Sequence, residues 1–168
     1  MELTRLFLAE LDAEAGRSRK ALEQVPEGQY DWKPHEKSMP FGYLSQLVAT
    51  MPSWIAMAVN QDSLDLKPVS GQGYQRPNLR TRADLVKGLD EAVAGAKAAL
   101  GATSEAHLMT PWQLLVGGNV VMESPRYNVI GETLRHLAHH RGQMTVYLRL
   151  LGATVPALYG PSADERIF

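Results

Sequence analysis

Cysteine is absent from this 168-residue chain. That absence removes disulfides, thiolate metal ligands and a cysteine nucleophile together, and it agrees with a cytoplasmic protein. An excess of basic charge is also missing. Lys and Arg total 17 against 18 Asp and Glu, a net charge of −1, with a pI near 6.5. A nucleic acid or an anionic membrane surface would call for clustered cations, so neither is expected as a partner. No apolar run approaches the roughly 20 residues of a membrane span. The opening MELTRLFLAELDAEAGRSRK interrupts its apolar residues with charge too often for a signal-peptide core. No P-loop, helix-opening GxGxxG or GxSxG occurs.

What is present is a composition able to build a core. Hydrophobic residues make up 45% and charged residues 21%, the balance of a soluble domain, and the length suits one domain over residues 1–168. Four helical segments are expected from periodicity. The first runs from about Leu3 to Val25 and stops at Pro26-Glu27-Gly28. The second opens at Ser38 with Pro40 in its first turn, and Pro52 should kink or end it before Trp54, Ile55 and Val59. The third starts at Thr81, with Asp84 in a loose capping-box position, and ends near Gly101. The fourth starts at Ser124-Pro125 as N-cap and first turn and runs to Leu151 before Gly152, about 40 Å at a rise of 1.5 Å per residue.

Between the last two helices, Trp112 to Met122 holds two apolar runs around Gly117-Gly118, a small β-hairpin. Gln61 to Arg80, rich in Gly, Pro and polar residues, reads as a long crossover loop. The expected fold class is therefore all-α, a four-helix bundle with one long crossover and a hairpin before the last helix.

Three of the five histidines lie in His136-Leu137-Ala138-His139-His140-Arg141-Gly142-Gln143. His136 and His140 are one helical turn apart, with β-carbons about 6 Å apart, a spacing that lets two imidazoles share one metal ion. At about 100° per residue, Glu132, His136, His140, Gln143 and Tyr147 share a polar stripe beside the apolar stripe of Ile130, Leu134, Leu137 and Leu148. Such a stripe can line a cavity in a bundle; as the alternative, it is a solvated face with incidental histidines, since HxxxH arises often by chance. His139 lies on the flank, a residue supporting the pair or simply exposed. Arg141 falls toward the apolar side, within reach of a carboxylate, and Gly142 in mid-helix suggests close approach of another helix. Trp54 and Trp112 are expected as core or cavity walls, and His107 as exposed.

The run HLAHHRGQMTVYLRLLGATVPALYGPSADE, from His136 to Glu165, closely resembles the C-terminal part of the DinB-like (damage-inducible) superfamily of four-helix-bundle proteins. Trp32-Lys33-Pro34-His35-Glu36-Lys37-Ser38-Met39 and Gly42-Tyr43-Leu44 resemble its approach to the second helix. The resemblance spans nearly the whole chain. It implies a divalent metal, often nickel or zinc, held by three histidines, two of them from the last helix at the places of His136 and His140. It also implies activities such as thiol-dependent S-transfer, and frequent homodimers.

The second helix departs from that pattern. Similar proteins read approximately G-x-L-x-x-H-[IV]-A, whereas this chain reads Gly42-Tyr43-Leu44-Ser45-Gln46-Leu47-Val48-Ala49. Leu47 stands at the third ligand position, and a leucine cannot coordinate a metal. Glu132 is an acceptable ligand type, but three ligands on successive turns of one helix span roughly 12 Å, too far to share one ion. His35 is read as a cavity-rim or local structural residue, with coordination as its alternative. Two readings follow. One is a small-molecule-binding or interaction module with a degenerate two-histidine site, holding a divalent metal weakly or not at all, and homodimeric. The other is a thiol S-transferase or hydrolase-like enzyme using a weak divalent metal as a Lewis acid. The tail from Val155 to Phe168 is expected to fold over the bundle or onto a partner subunit.

Overall fold

The structure is a computed structural model, and it describes residues 2–69, 71 and 77–166. Among these residues six helices and three strands follow in the order α1 (Leu3–Leu22), α2 (Phe41–Thr50), α3 (Ser53–Asn60), β1 (Ser63–Asp65), α4 (Arg82–Ala102), α5 (Glu105–Leu108), β2 (Pro111–Val116), β3 (Asn119–Pro125) and α6 (Arg126–Leu150). The protein is mostly helical with a small three-stranded sheet, which corrects the all-α expectation.

Helix α1 packs against α4 and α6, and α2 and α3 each pack against the same two helices. The apolar residues separate into two clusters. One joins Leu22, Phe41, Leu44, Leu47, Val48, Leu85, Leu89, Leu137 and Leu148. The other joins Phe7, Leu11, Ile55, Val59, Leu100, Ile130 and Leu134. Their spacing along each helix, three or four residues, is what turns one stripe inward. Pro52 ends α2, and α3 restarts at Ser53.

The second helix begins at Phe41 rather than Ser38 because the preceding residues satisfy their own backbone in turns. Ser38 N–H donates to His35 O at 3.0 Å, and Phe41 N–H to Trp32 O at 2.8 Å. Gly42 N–H then reaches Tyr30 O at 2.7 Å. A β-carbon on Gly42 would lie 2.9 Å from that oxygen and from the Tyr30 β-carbon, so only glycine admits this approach. Helix α4 starts as expected, with Thr81 Oγ1 accepting the Asp84 N–H at 3.0 Å.

The hairpin forms, with Trp112 opposite Ser124, Leu114 opposite Met122 and Val116 opposite Asn119. Gly117 and Gly118 take φ of 61° and 78° at its turn, the left-handed pair that a two-residue hairpin requires. The third strand was not expected. Ser63, Leu64 and Asp65 pair in parallel with Gln113, Leu114 and Leu115; three residues with one apolar side chain carry no periodicity to detect. This strand lies within the expected crossover loop, whose residues 70 and 72–76 fall outside the described residues.

The start of α6 also differs. Strand pairing runs through Pro111 opposite Pro125, and Arg126 N–H donates to Thr110 O at 3.0 Å. The sheet therefore holds Ser124 and Pro125, and the helix begins one residue later than expected. A β-carbon on Gly142 would meet nothing within 4 Å, so among the described residues no helix approaches it. His107 is half-buried rather than exposed, its Nε2 lying 2.8 Å from Val59 O.

The tail folds back on its own chain. Asp164 pairs with Arg149 at 2.7 Å, and Glu165 accepts the Ala157 N–H at 2.7 Å. Tyr159 OH donates to Glu14 at 2.9 Å beside the fully buried Arg141. That guanidinium also donates to Ser18 Oγ at 3.0 Å and pairs with the Glu14 carboxylate, the carboxylate partner that its place on α6 suggested.

Candidate functional site

The long regular helix α6 fixes the histidine cluster. The ring centroids of His136 and His140 are 4.5 Å apart, and His139 sits 5.2 Å from His140 and 6.4 Å from His136. His140 is buried, 6% exposed, with its Nδ1 2.8 Å from Gln143 Oε1. In the tautomer with the proton on Nδ1, that amide oxygen accepts it and Nε2 is the acceptor nitrogen. His136 is more open and stands against Trp54 of α3, ring centroids 5.8 Å apart. Partial burial, then the neighbouring His140 and His139, push its pKa below the ordinary histidine value, and Glu132 only partly opposes this. His136 is therefore a neutral imidazole at pH 7, able to accept a proton or to hydrogen-bond a hydroxyl.

The other residues singled out from the sequence have different surroundings. Glu132 is exposed and pairs with Arg135 at 2.8 Å, which holds its carboxyl below the usual range. Tyr147 lies among aromatics, 5.7 Å from Trp32 and 6.0 Å from Phe41, and its hydroxyl donates to Met39 O at 3.3 Å. His35 is exposed and accepts the Lys37 N–H at its Nδ1, 3.1 Å away, in a local turn. Leu47 is 8% exposed and belongs to the core cluster that includes Leu137.

A three-histidine site needs a third nitrogen aimed at the pair, and Leu47 offers only carbon. Among the described residues no group of three or more His, Asp or Glu side chains is placed to hold a metal ion. Two imidazoles on adjacent turns are not a donor set for tight binding.

A cavity was expected along the polar stripe; the one the structure shows meets that stripe at His136 and is otherwise largely apolar. An apolar cavity of about 430 Å³ lies beneath the sheet. Helix α3 supplies Trp54 and Met57, the β1 segment Leu64 and Leu66, the hairpin Trp112, Leu114 and Met122, and α6 Val129, Thr133 and His136. On the other side of His136 a polar groove of about 390 Å³ is bordered by Glu132, Arg135 and His139, with Thr133 and His136 common to both. The two tryptophans were the available signal, since indoles often wall ligand sites.

Arg126 keeps this arrangement together. It is 2% exposed and donates to Ala58 O at 2.6 Å, to Gln61 O, to Asp62 Oδ1 at 2.5 Å and to Thr110 Oγ1 at 2.9 Å. One guanidinium thus ties the end of α3, the approach to β1 and the approach to β2 to the start of α6. Among the described residues no helix is long and apolar enough to cross a membrane.

Comparison with known proteins agrees with this architecture. A DinB-like protein of Bacillus cereus ATCC 10987 superposes with a TM-score of 0.68 at 21% identity, covering 91% of this chain and 95% of that one. A DinB-like protein of Bacillus subtilis, YjoA, gives 0.68 at 18% identity over 96% and 99% of the two chains. At these identities the likeness is one of fold. Uncharacterized protein YrdA of Bacillus subtilis strain 168 is 44% identical over 43 residues, so the match spans 26% of this chain and 26% of that relative. The sequence profile of the DinB family matches residues 1–166, and the chain belongs to that family.

Proposed function

We propose that this protein is a small-molecule-binding module of the DinB family, arranged as a four-helix bundle of α1, the α2–α3 pair, α4 and α6. Its histidine site is degenerate. His136 and His140 hold nickel or zinc weakly, and the physiological ligand is an organic molecule rather than a resident metal. The observation that carries this reading is Leu47, buried at 8% exposure among core residues that include Leu137 of α6. By the family resemblance, this carbon side chain stands where a third imidazole would complete the set. The protein is read as a cytoplasmic homodimer. Val146 and Leu150, one turn apart on α6 and 57% and 58% exposed, support the dimer, because exposed apolar side chains at helical spacing suit a second copy.

The test is the metal content of protein purified without an affinity tag, followed by titration with zinc and nickel. Binding no tighter than the high-micromolar range is expected, and Leu47→His should tighten it by at least about 100-fold by adding an imidazole. Stoichiometric metal that survives dialysis and is lost in His136→Ala would overturn the reading. It would favour instead a thiol S-transferase or hydrolase-like enzyme at a weak metal site. One observation favours that second reading: the bond from His140 Nδ1 to Gln143 orients the ring as metal-bound histidines are commonly oriented.

A further inference from the structure

We propose that the cavity beneath the sheet is the binding site itself, and that it takes a compact, uncharged one- or two-ring molecule bearing a single hydroxyl or carbonyl that meets His136. This rests on the small-molecule reading above and adds the place and the chemical class. At about 430 Å³ the cavity falls at the small end of ligand sites, a volume suited to one or two rings.

Its described walls carry no charge. Among the described residues no Lys, Arg, Asp or Glu lines it, and the polar side chains there are Thr133 and His136. An ionised group within it would lose hydration without a partner. Trp54 and Trp112 offer aromatic surfaces, and Met57 and Met122 offer adaptable sulfur contacts to a ring. The Trp112 N–H is shut off from solvent, with no hydrogen-bond partner among the described residues. The polar end of an occupant is therefore met by His136. That ring borders both the apolar cavity and the polar groove, so a molecule with an apolar body and one polar end matches both sides of it. Thr133 contributes less, because its hydroxyl already donates to Val129 O at 2.9 Å. Leu66 and Met122, 49% and 40% exposed, carry the lining out to solvent.

The experiment titrates the full chain with 2-naphthol and with naphthalene at pH 7.5, read by quenching of tryptophan emission. The two probes are similar in size, and only one has a hydroxyl. Both should bind saturably, with 2-naphthol tighter by about fivefold, the effect of one net hydrogen bond. His136→Leu should erase that difference. Met57→Trp, which fills the cavity, should weaken both probes by roughly tenfold or more. Leu66→Asp, at a half-exposed position that spares the core, should do the same if Met57→Trp fails to fold. No saturable binding of either probe, or binding indifferent to both cavity variants, would overturn the proposal. Binding lost in His136→Leu yet untouched by Met57→Trp and Leu66→Asp would place the ligand in the groove. That outcome overturns the cavity and leaves the histidine-site reading standing, whereas tight resident metal overturns that reading alone.

Discussion

His136 makes the fold sensitive to pH in a definite direction. Its pKa is depressed in the folded protein from an ordinary value of 6.5, so below that value the unfolded chain binds the proton more readily. Stability should therefore be level above about pH 7 and fall as pH drops through 6.5 toward the folded pKa. Thermal midpoints of wild type and His136→Gln between pH 8 and 5 check this, with the wild type expected to lose more on acidification. A second prediction concerns Arg141. Its side chain is 1% exposed and the Glu14 side chain 14%; in Arg141→Met the Glu14 carboxylate keeps Arg17 at 2.7 Å and the Tyr159 hydroxyl at 2.9 Å. The cost should therefore fall below the about 3–5 kcal/mol of a stranded buried charge, a drop in melting temperature of about 5 °C for a chain of this size. Glu14→Gln should cost at least as much as Arg141→Met, because it leaves the fully buried guanidinium without its anion. The likeness of Arg141 to a core residue was legible from its place on the apolar side of α6. Its partners were not, because Glu14, Ser18 and Tyr159 lie more than a hundred residues upstream or on a tail with no periodicity.

Arg126 ties separate segments together, and its effect should be local. Arg126→Met removes the donors to Ala58, Gln61, Asp62 and Thr110 without shortening α6. Amide exchange in residues 61–66 and 110–115 should accelerate by about tenfold or more while α4 keeps its protection; a uniform acceleration would mean global destabilisation instead. Sequence carried one signal for this residue. An arginine in the first turn of a helix opposes the macrodipole, and that misfit asks for compensation, which the carbonyls at the end of α3 supply. The long helices were legible because their apolar residues recur over several turns, and the hairpin because Gly117-Gly118, free to take the positive φ of a two-residue turn, stands between two apolar runs. Strand β1 and helix α5, three and four residues long, are set by tertiary partners. The histidine pair was legible from spacing alone, but the apolar lining of the cavity beside it was not, since it comes from four separated segments.

At the scale of the whole molecule the exposed apolar turn of α6 predicts the assembly. Sedimentation of the wild type should show a dimer, and Val146→Glu with Leu150→Lys should shift it to monomer while the helical circular dichroism is retained. A monomeric wild type at high micromolar concentration would reject the homodimer. The hairpin tip has a different consequence for the molecule. Asp65 accepts the Lys67 N–H at 2.9 Å, the Gly117 N–H at 3.0 Å and the Gly118 N–H at 2.7 Å. Burial works to raise its carboxyl pKa, and the three amides outweigh it and hold it low. A hairpin tip is ordinarily a permissive place for added sequence. This one is latched by a residue fifty positions earlier in the chain, so a peptide tag inserted between Gly117 and Gly118 would pull the latch from β1. Leu64 and Leu66 flank that latch, and both line the cavity. Such a tag would be tolerated by the helices and reported by the pocket, which makes the tip a poor site for a label and a direct handle on occupancy.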